Sequence, residues 1–214
     1  MQTPHGSSAT DFWENRYRTA DVETVSWYEP VPRLSLELIE LSDAEPDDGV
    51  IDIGGGASFL AQSLSERGFH DVSVLDASHE ALEVARSRWS GSDAVDWIAA
   101  DLLEWEPTRT WKVWHDRAVF HFLTDPADRA TYRALLTRSI EPGGQVIVAT
   151  FAPDGPTMCS GLEVARYSTE ELASEIGEGF TLVASGNDLH CTPSDAEQNF
   201  SWVLLERTVD QQWA

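Results

Sequence analysis

The sequence VIDIGGGASFL, residues 50–60, decides the fold that we expect for this chain. A short apolar run that contains Asp52 is followed by three consecutive glycines, after which the apolar spacing becomes that of a helix. Glycine adopts a positive φ and leaves room for a ligand beside the backbone, and the first turn of a helix offers free N–H groups and a partial positive charge. The stretch therefore predicts a buried strand that turns tightly into a helix, with a ligand at the turn.

Apolar runs alternate with helical segments on both sides of this turn. Besides the strand at 49–53, the pattern predicts strands at 71–76, 94–100, 111–116, 145–151, 180–185 and 200–206. This alternation is typical of a Rossmann-like α/β fold, in which helices cover both faces of a doubly wound, mostly parallel sheet. We expect seven strands with the last one antiparallel, in a single domain over 1–214 that comprises an N-terminal helical lid, 1–45, and a core, 46–207.

The charge of the chain limits the classes of binding partner that we expect. Acids outnumber bases by 37 to 14, the formal net charge is −23, and Lys112 is the only lysine. Such an acidic protein lacks the electrostatic footprint of nucleic-acid binding, so small molecules or cationic proteins are the expected substrates. The acidity is typical of a halophilic source, where salt screens the repulsion, or of an acidic mesophilic protein. The oligomeric state is left open.

The sequence also bears on location and metals. No apolar run approaches the roughly 20 residues that a membrane helix needs, and the first residues lack the basic and apolar regions of a signal peptide. Cys159 and Cys191 have no metal-ligand spacing, so we expect no metal, although a single disulfide between them stays possible. We expect a cytoplasmic protein with no membrane partner.

The glycine turn differs from turns that bind phosphates. A dinucleotide-binding turn reads G-x-G-x-x-G, but the third glycine position holds Phe59, whose ring would clash with a pyrophosphate. The Gly-Lys-Ser/Thr of an ATP-binding loop is also absent. These mismatches argue against NAD and ATP, which leaves a nicotinamide-dependent oxidoreductase as an alternative function only.

Carboxylates stand at or near the ends of four successive predicted strands. They are Asp52, Asp76, Asp101 and Asp116. The carboxyl ends of parallel strands meet at one edge of the sheet, and an acid at the end of the second strand can accept both hydroxyls of a ribose. The acids predict a ligand with a ribose, a base that carries donor groups, and a positive charge. S-adenosylmethionine has all three.

The ordered motifs resemble those of the class I, seven-stranded S-adenosylmethionine-dependent methyltransferases. VIDIGGGAS, VLDAS, DLLEW and EPGGQVIVAT follow the family's motifs in order, except that the first motif ends in Ser58 instead of glycine. The resemblance implies transfer of a methyl group from S-adenosylmethionine to an acceptor, with S-adenosylhomocysteine as the product. A module that binds S-adenosylmethionine without catalysis is a further alternative.

The resemblance also implies which residues bind the cofactor. It places the first glycine turn beside the methionine and ribose portions, the end of the second strand beside ribose and adenine, the end of the third beside the adenine amino group, and the end of the fourth beside the methionine amino group. In that order, the residues are Asp52, Gly54, Gly55 and Gly56; Asp76, Ala77 and Ser78; Asp101 and Leu102; and Asp116 and Arg117.

The N-terminal segment resembles a narrower group. FWENRY and SWYE are similar to the YWxxRY and DWF segments of the eukaryotic elongation-factor lysine methyltransferases, and residues 54–78 are similar to their first two motifs. This resemblance implies a lid in which Trp13 and Tyr17 cover the cofactor and Arg16 pairs with its carboxylate. The alternative is a helix that only anchors the N-terminus on the domain.

A general base is needed only if the methyl acceptor arrives protonated. The run HDRAVFHFL, 115–123, offers His115, Asp116, Arg117 and His121. We expect His121 to be the base because it lies beyond the strand end and can titrate near neutral pH; Asp116 is the second candidate, and a packed histidine is the alternative. The run differs from the EKGTLDAL of the lysine methyltransferases, so the acceptor is left as a small molecule or a protein side chain.

Overall fold

A single seven-stranded sheet forms the centre of the computed structural model, which describes residues 7–208. Its strands are β1 (Val50–Ile53), β2 (Val72–Asp76), β3 (Asp96–Ala99), β4 (Trp111–Arg117), β5 (Ile140–Phe151), β8 (Phe180–Cys191) and β9 (Glu197–Arg207), and a separate hairpin holds β6 (Met158–Cys159) and β7 (Leu162–Glu163). The order across the sheet is β3-β2-β1-β4-β5-β9-β8. All strands of this sheet run parallel except β9, which confirms the predicted fold.

Helices cover both faces of the sheet. They are α1 (Ser7–Thr19), α2 (Arg33–Leu41), α3 (Leu60–Glu66), α4 (His79–Ser87), α5 (Pro126–Ser139) and α6 (Thr169–Ile176). One apolar core joins α2, α3 and α4 to one face, and a second joins α5 and α6 to the other. Successive residues of β1 alternate between these cores, as the pleat of a strand requires. Within 7–208, no helix is long and apolar enough to cross a membrane.

Side-chain caps fix where several helices begin. Ser78 accepts a hydrogen bond from the Ala81 N–H at 3.1 Å, which starts α4 immediately after the end of β2. Ser168 and Glu171 form a reciprocal capping box at α6. Because Ser78 follows Asp76 so closely, the start of α4 and the carboxylate at the end of β2 are held in one rigid turn.

The structure departs from the sequence prediction in two segments. The sequence places helical spacing directly after the third glycine, but α3 begins only at Leu60, so the glycine turn is longer than expected. The region 152–167, for which no strand was predicted, contains the β6–β7 hairpin. At the edge of the sheet away from the glycine turn, the Lys112 ammonium near the start of β4 donates a hydrogen bond to the Gly143 carbonyl at 2.9 Å.

Candidate active site

The glycine turn after β1 depends on the absence of side chains. Gly54 and Gly56 have φ values of 63° and 47°, in the left-handed region that favours glycine. A Cβ on Gly55 would lie 2.4 Å from Asp52 Oδ2 and 2.7 Å from Val74 Cγ1. The turn therefore folds back over the Asp52 carboxylate at close contact, and no larger residue fits at these three positions without a shift of its neighbours.

Three of the predicted carboxylates line one cavity at this edge of the sheet. Asp52, Asp76 and Asp101 contribute to its wall, together with the apolar Leu102 and Leu103. Backbone N–H groups orient two of them: Ser78 donates to Asp76 Oδ1 at 2.7 Å, and Leu103 donates to Asp101 Oδ1 at 2.9 Å. The topology thus brings together acids that lie 24 or more positions apart in sequence.

Asp76 is the most strongly perturbed of these acids. Its pKa is raised to about 7: burial is the main cause, the nearby Asp52 and Glu14 add to the rise, and hydrogen bonds from the Ser78 and Gly56 backbones oppose it. Neutral hydroxyl donors satisfy such a carboxylate without adding charge. This chemistry fits the two hydroxyls of a ribose.

The positively charged side chain at the glycine turn, Arg88, already has partners within the protein. The Arg88 guanidinium donates to the Ala57 and Ser58 carbonyls at 2.6 and 2.9 Å and lies 4.0 Å above the Phe59 ring. Phe59 itself occupies the N-cap position of α3. A pyrophosphate at this turn would therefore meet an aromatic ring and an occupied arginine, whereas a nucleoside that carries a cationic sulfonium suits the surrounding acids.

Aromatic residues of the N-terminal segment close the cavity. Trp13, Tyr17 and Trp27 line it, and Trp27 Nε1 donates to the Tyr17 hydroxyl at 3.3 Å. A Cβ on Gly56 would lie 2.6 Å from that hydroxyl, so Tyr17 sits directly on the glycine turn. Burial raises the Tyr17 pKa well above its usual range, and the hydroxyl stays protonated.

Helix α1, which carries Trp13 and Tyr17, is held against the start of α4. The Glu14 carboxylate accepts hydrogen bonds from the His79 N–H at 2.7 Å and the Glu80 N–H at 3.3 Å. These are free donors of the first turn of α4, where a negative charge is favourable. The contact ties α1 to the helix that follows Asp76.

The opposite wall holds an ion-pair cluster that the sequence did not reveal. Glu29 accepts from Arg117 Nη2 at 3.1 Å and lies 3.0 Å from His190 Nδ1, while His190 Nε2 lies 2.7 Å from the Ser26 carbonyl oxygen. Burial raises the Glu29 pKa, but the His190 hydrogen bond and the charge of Arg117 outweigh it, so the net pKa lies below the usual value. Both nitrogens of His190 thus face hydrogen-bond acceptors of the protein.

A second buried histidine lies beneath the glycine turn. His115 on β4 is the register partner of Asp52 on β1, and its Nδ1 lies 2.7 Å from Asp52 Oδ1. Both residues are buried and both line the cavity. The pair is a carboxylate-oriented imidazole at the cavity wall.

Asp116 lies outside the cavity. Its carboxylate is fully buried and accepts hydrogen bonds from the Val119 N–H at 2.9 Å, from the Phe120 N–H and from the Tyr132 hydroxyl at 2.8 Å. Burial raises its pKa to about 6. These contacts give Asp116 the role of holding the turn after β4, and they do not support the predicted contact with the methionine amino group or a part in catalysis.

His121 is also placed differently from the expectation. The positive φ of Ala118, 72°, bends the chain at the end of β4, and the short helical turn Phe120–Phe122 carries His121 into the interior. The imidazole packs 4.5 Å from Phe122 and 4.8 Å from Phe151, and neither nitrogen has a hydrogen-bond partner. Burial, with a smaller contribution from the charge of Arg117, lowers its pKa to about 3. This geometry does not support the predicted role as general base.

The structure brings together most of the predicted residues. Those that line the cavity are Trp13, Tyr17, Asp52, Gly54, Gly55, Asp76, Ala77, Asp101, Leu102 and Arg117. Gly56 and Ser78 lie behind them and hold Asp76 through their backbone N–H groups. Arg16 does not line the cavity; its guanidinium lies 5.7 Å from the Trp27 ring, and its Nε has no partner. The sequence prediction assigned no site role to Glu29 and Trp27, which long-range contacts bring to the cavity.

Neither a metal site nor a disulfide is found among the described residues. Among residues 7–208 there is no group of three or more side chains that could hold a metal ion. Cys159 is buried and Cys191 is exposed, and both are free thiols, so the disulfide left open by the sequence is not formed. Burial raises the pKa of the Cys159 thiol to about 11.

Comparison with known proteins agrees with this geometry. A family model described as "Methyltransferase domain" matches residues 50–144. The chain is 24% identical over 162 residues to the methyltransferase GfsG of Streptomyces halstedii, which covers 73% of this chain and 52% of that protein. The chain therefore spans about half the length of this relative.

Solved structures share the fold over nearly the whole chain. The N-methyltransferase NodS from Bradyrhizobium japonicum, in complex with S-adenosylhomocysteine, matches with a TM-score of 0.68 and 18% identity over 92% of this chain and 98% of that one. The 1,6-didemethyltoxoflavin-N1-methyltransferase of Burkholderia thailandensis matches with a TM-score of 0.69 and 18% identity over 98% and 94% of the two chains. Residues 50–144 thus match a methyltransferase domain, and the chain shares its fold with solved methyltransferases.

Proposed function

We propose that this protein transfers a methyl group from S-adenosylmethionine to a small molecule or a protein side chain. The observation that carries the proposal is the set of carboxylates at the ends of adjacent strands, Asp52, Asp76 and Asp101, around one cavity beneath a glycine turn. This set suits a ribose, an adenine and a positive charge. No metal and no nucleic acid is needed in this proposal.

The residues around the cavity have distinct tasks in such a transfer. Bound S-adenosylmethionine supplies an electrophilic methyl group on a positively charged sulfur. Asp76 accepts the ribose hydroxyls, and Asp101 accepts from the adenine amino group while Leu102 packs on the base. Trp13 and Tyr17 exclude water from above. Holding the acceptor in line with the methyl group is the main contribution of the protein, because orientation alone lowers such a barrier by several kcal/mol.

The cavity favours a small acceptor over an extended protein segment. The lid segment covers it, and apolar residues such as Phe122 and Leu123 line the part away from the carboxylates. Small-molecule methyltransferases are also among the structures that share the fold. A protein lysine is the second candidate, because FWENRY and SWYE resemble the lid of the elongation-factor lysine methyltransferases.

Calorimetry tests the cofactor. We expect binding of S-adenosylmethionine and S-adenosylhomocysteine and none of NAD; binding of NAD alone would favour the oxidoreductase. Asp76→Ala should weaken cofactor binding by roughly 1–3 kcal/mol, because the ribose hydroxyls lose a buried acceptor. Asp93→Ala is the matched control, since Asp93 is exposed and pairs with Arg86 on the surface. Equal affinity of both variants would remove Asp76 from the site.

A labelled methyl donor tests the transfer. The protein is incubated with the labelled cofactor and a cell lysate, which is then separated into protein and small-molecule fractions. We expect label in the small-molecule fraction; label in the protein fraction would favour the lysine acceptor. Tight cofactor binding with no labelled product in either fraction would favour a non-catalytic binding module.

A further inference from the structure

Three buried histidines lie at or near the cavity, and their hydrogen bonds distinguish them. Neither nitrogen of His121 has a partner, and both are sealed from solvent. Both nitrogens of His190 are already engaged with protein groups, Glu29 and the Ser26 carbonyl. In His115 only Nδ1 is bonded, to Asp52. His115 is therefore the one of the three that can take up a proton from a ligand.

The geometry of this pair fixes which nitrogen is free. A carboxylate only accepts hydrogen bonds, so Nδ1 of His115 carries the hydrogen and Nε2 keeps a lone pair. Each of the two side chains is 4% exposed. His115 lines the cavity. Within residues 7–208, the side-chain hydrogen bond of His115 is the one from Nδ1 to Asp52, so Nε2 is the nitrogen left for a ligand in the cavity.

The surroundings leave this nitrogen as the available proton acceptor at that part of the cavity. On the flanking strands, Asp52 of β1 is already bonded to Nδ1, and the β5 partner is the apolar Ile147. Two further charged residues that line the cavity, Arg117 and Glu29, are paired with each other. Ser35 at the start of α2 contributes a neutral hydroxyl.

We propose that His115 is the catalytic base of the methyl transfer, that Asp52 is its positioning residue, and that the acceptor atom is therefore a nitrogen or oxygen that carries a hydrogen. This rests on the proposed function. The lone pair of the acceptor forms the new bond to the methyl carbon, the carbon–sulfur bond breaks, and its electron pair goes to sulfur. The acceptor proton moves to Nε2 of His115, and the Asp52 carboxylate balances the imidazolium until the proton passes to solvent.

A chemical probe tests this assignment without a known acceptor. Diethyl pyrocarbonate acylates unprotonated, accessible imidazole nitrogens, and mass spectrometry of the full chain locates the modified residues. We expect modification of His115 in the free protein and in the S-adenosylhomocysteine complex, while His121 and His190 stay unmodified. The exposed His70 and His79 are internal positive controls. Protection of His115 by S-adenosylhomocysteine, or no reaction at all, would overturn the proposal.

A substitution at Asp52 tests its positioning role. In Asp52→Asn the amide N–H can donate to Nδ1, which places the hydrogen on Nε2 and removes the lone pair from the cavity. We expect the acylation of His115 to become about tenfold slower or more, with His70 unaffected. An unchanged rate would remove Asp52 from the assignment. Calorimetry with S-adenosylhomocysteine on the same samples separates the two ideas, because absent cofactor binding with a reactive His115 contradicts only the proposed function.

Turnover gives the final test once the labelled-donor screen supplies an acceptor. We expect His115→Gln to lower kcat by about a hundredfold or more, the usual range for loss of a general base, with little change in KM. The acid limb of the pH–rate profile should disappear in the same variant. Wild-type kcat in His115→Gln would overturn the proposal even if the nitrogen proves reactive.

Discussion

The two walls of the cavity are built in opposite ways. The acidic wall consists of Asp52, Asp76 and Asp101, which stand at or just after the ends of neighbouring parallel strands. The paired wall consists of Glu29, Arg117 and His190, whose contacts join residues 88 and 161 positions apart. The carboxylates of the acidic wall face a cavity that can hold a ligand, whereas the contacts of the paired wall tie Ser26 and Glu29 to β4 and β8.

The largest expected effect concerns the paired wall. Glu29→Ala should lower the free energy of unfolding by roughly 3 kcal/mol, because the Arg117 guanidinium would keep a largely buried charge without this partner and His190 would lose a hydrogen bond. Urea denaturation measures it. Glu37→Ala is the control, since Glu37 pairs with Arg33 on the exposed surface, and its cost should stay below about 0.5 kcal/mol. Equal costs would show that the paired wall stabilises no more than a surface ion pair.

Acid stability tests His121, which packs behind the paired wall. Its pKa is about 3 in the folded chain and ordinary in the unfolded chain, so the unfolded state binds the extra proton and stability falls as pH drops below about 6.5. Between pH 7 and 5 the wild type should lose about 2 kcal/mol more than His121→Leu. Denaturation at both pH values measures this difference. The control His70→Leu, at an exposed site, should lose as much stability between these pH values as the wild type does. A His121→Leu variant that also loses as much as the wild type would contradict the burial of His121.

The pH dependence of cofactor binding tests the acidic wall. Because burial raises the pKa of Asp76 to about 7, its contribution to stability is present below about pH 4 and is lost as pH rises through 7. Ribose hydroxyls need the ionised form, so the affinity for S-adenosylhomocysteine should rise about tenfold from pH 6 to pH 8. Calorimetry across that range measures it. The same slope in Asp76→Asn would assign the titration to another group.

The smallest expected effect is local. His190→Gln should remove one of the two hydrogen bonds that hold Ser26 and Glu29, at a cost of about 1 kcal/mol. Amide hydrogen exchange over residues 22–29 should then be roughly fivefold faster, with little change in the core strands. The exposed His70→Gln is the control. Uniformly faster exchange through the sheet would mean that His190 stabilises the whole domain and not residues 22–29 in particular.

The fold and the acidic wall could be predicted because both follow from local patterns. Parallel strands with an acid at the end meet at one edge whatever the rest of the chain does. The last strands were harder. The prediction ended β8 at Ser185 because Gly186, Asn187 and Asp188 are typical turn residues, but pairing with β9 continues through them to Cys191. Tertiary pairing there outweighs intrinsic preference.

The paired wall could not be predicted, and of the two histidines in 115–123 the prediction favoured His121 over His115; the reason is conformational. His121 follows the end of β4, where a side chain ordinarily faces the ligand edge. The left-handed backbone at Ala118 reverses that expectation and turns the imidazole into the core. His115 lies inside the strand, where a histidine usually packs, and only its register with Asp52 gives it a role. Backbone conformation at one residue and strand register are not visible in a single sequence.

The only lysine of the chain has a practical consequence. Lys112 lies near the start of β4, at the end of the strand away from the cavity, and its ammonium is bonded to the Gly143 carbonyl. In an assay with a labelled methyl donor, the protein itself therefore presents a single lysine side chain as a background acceptor. Lys112→Arg would remove that background while keeping the positive charge, and an amine-reactive dye on the unmodified chain would attach to one side chain only.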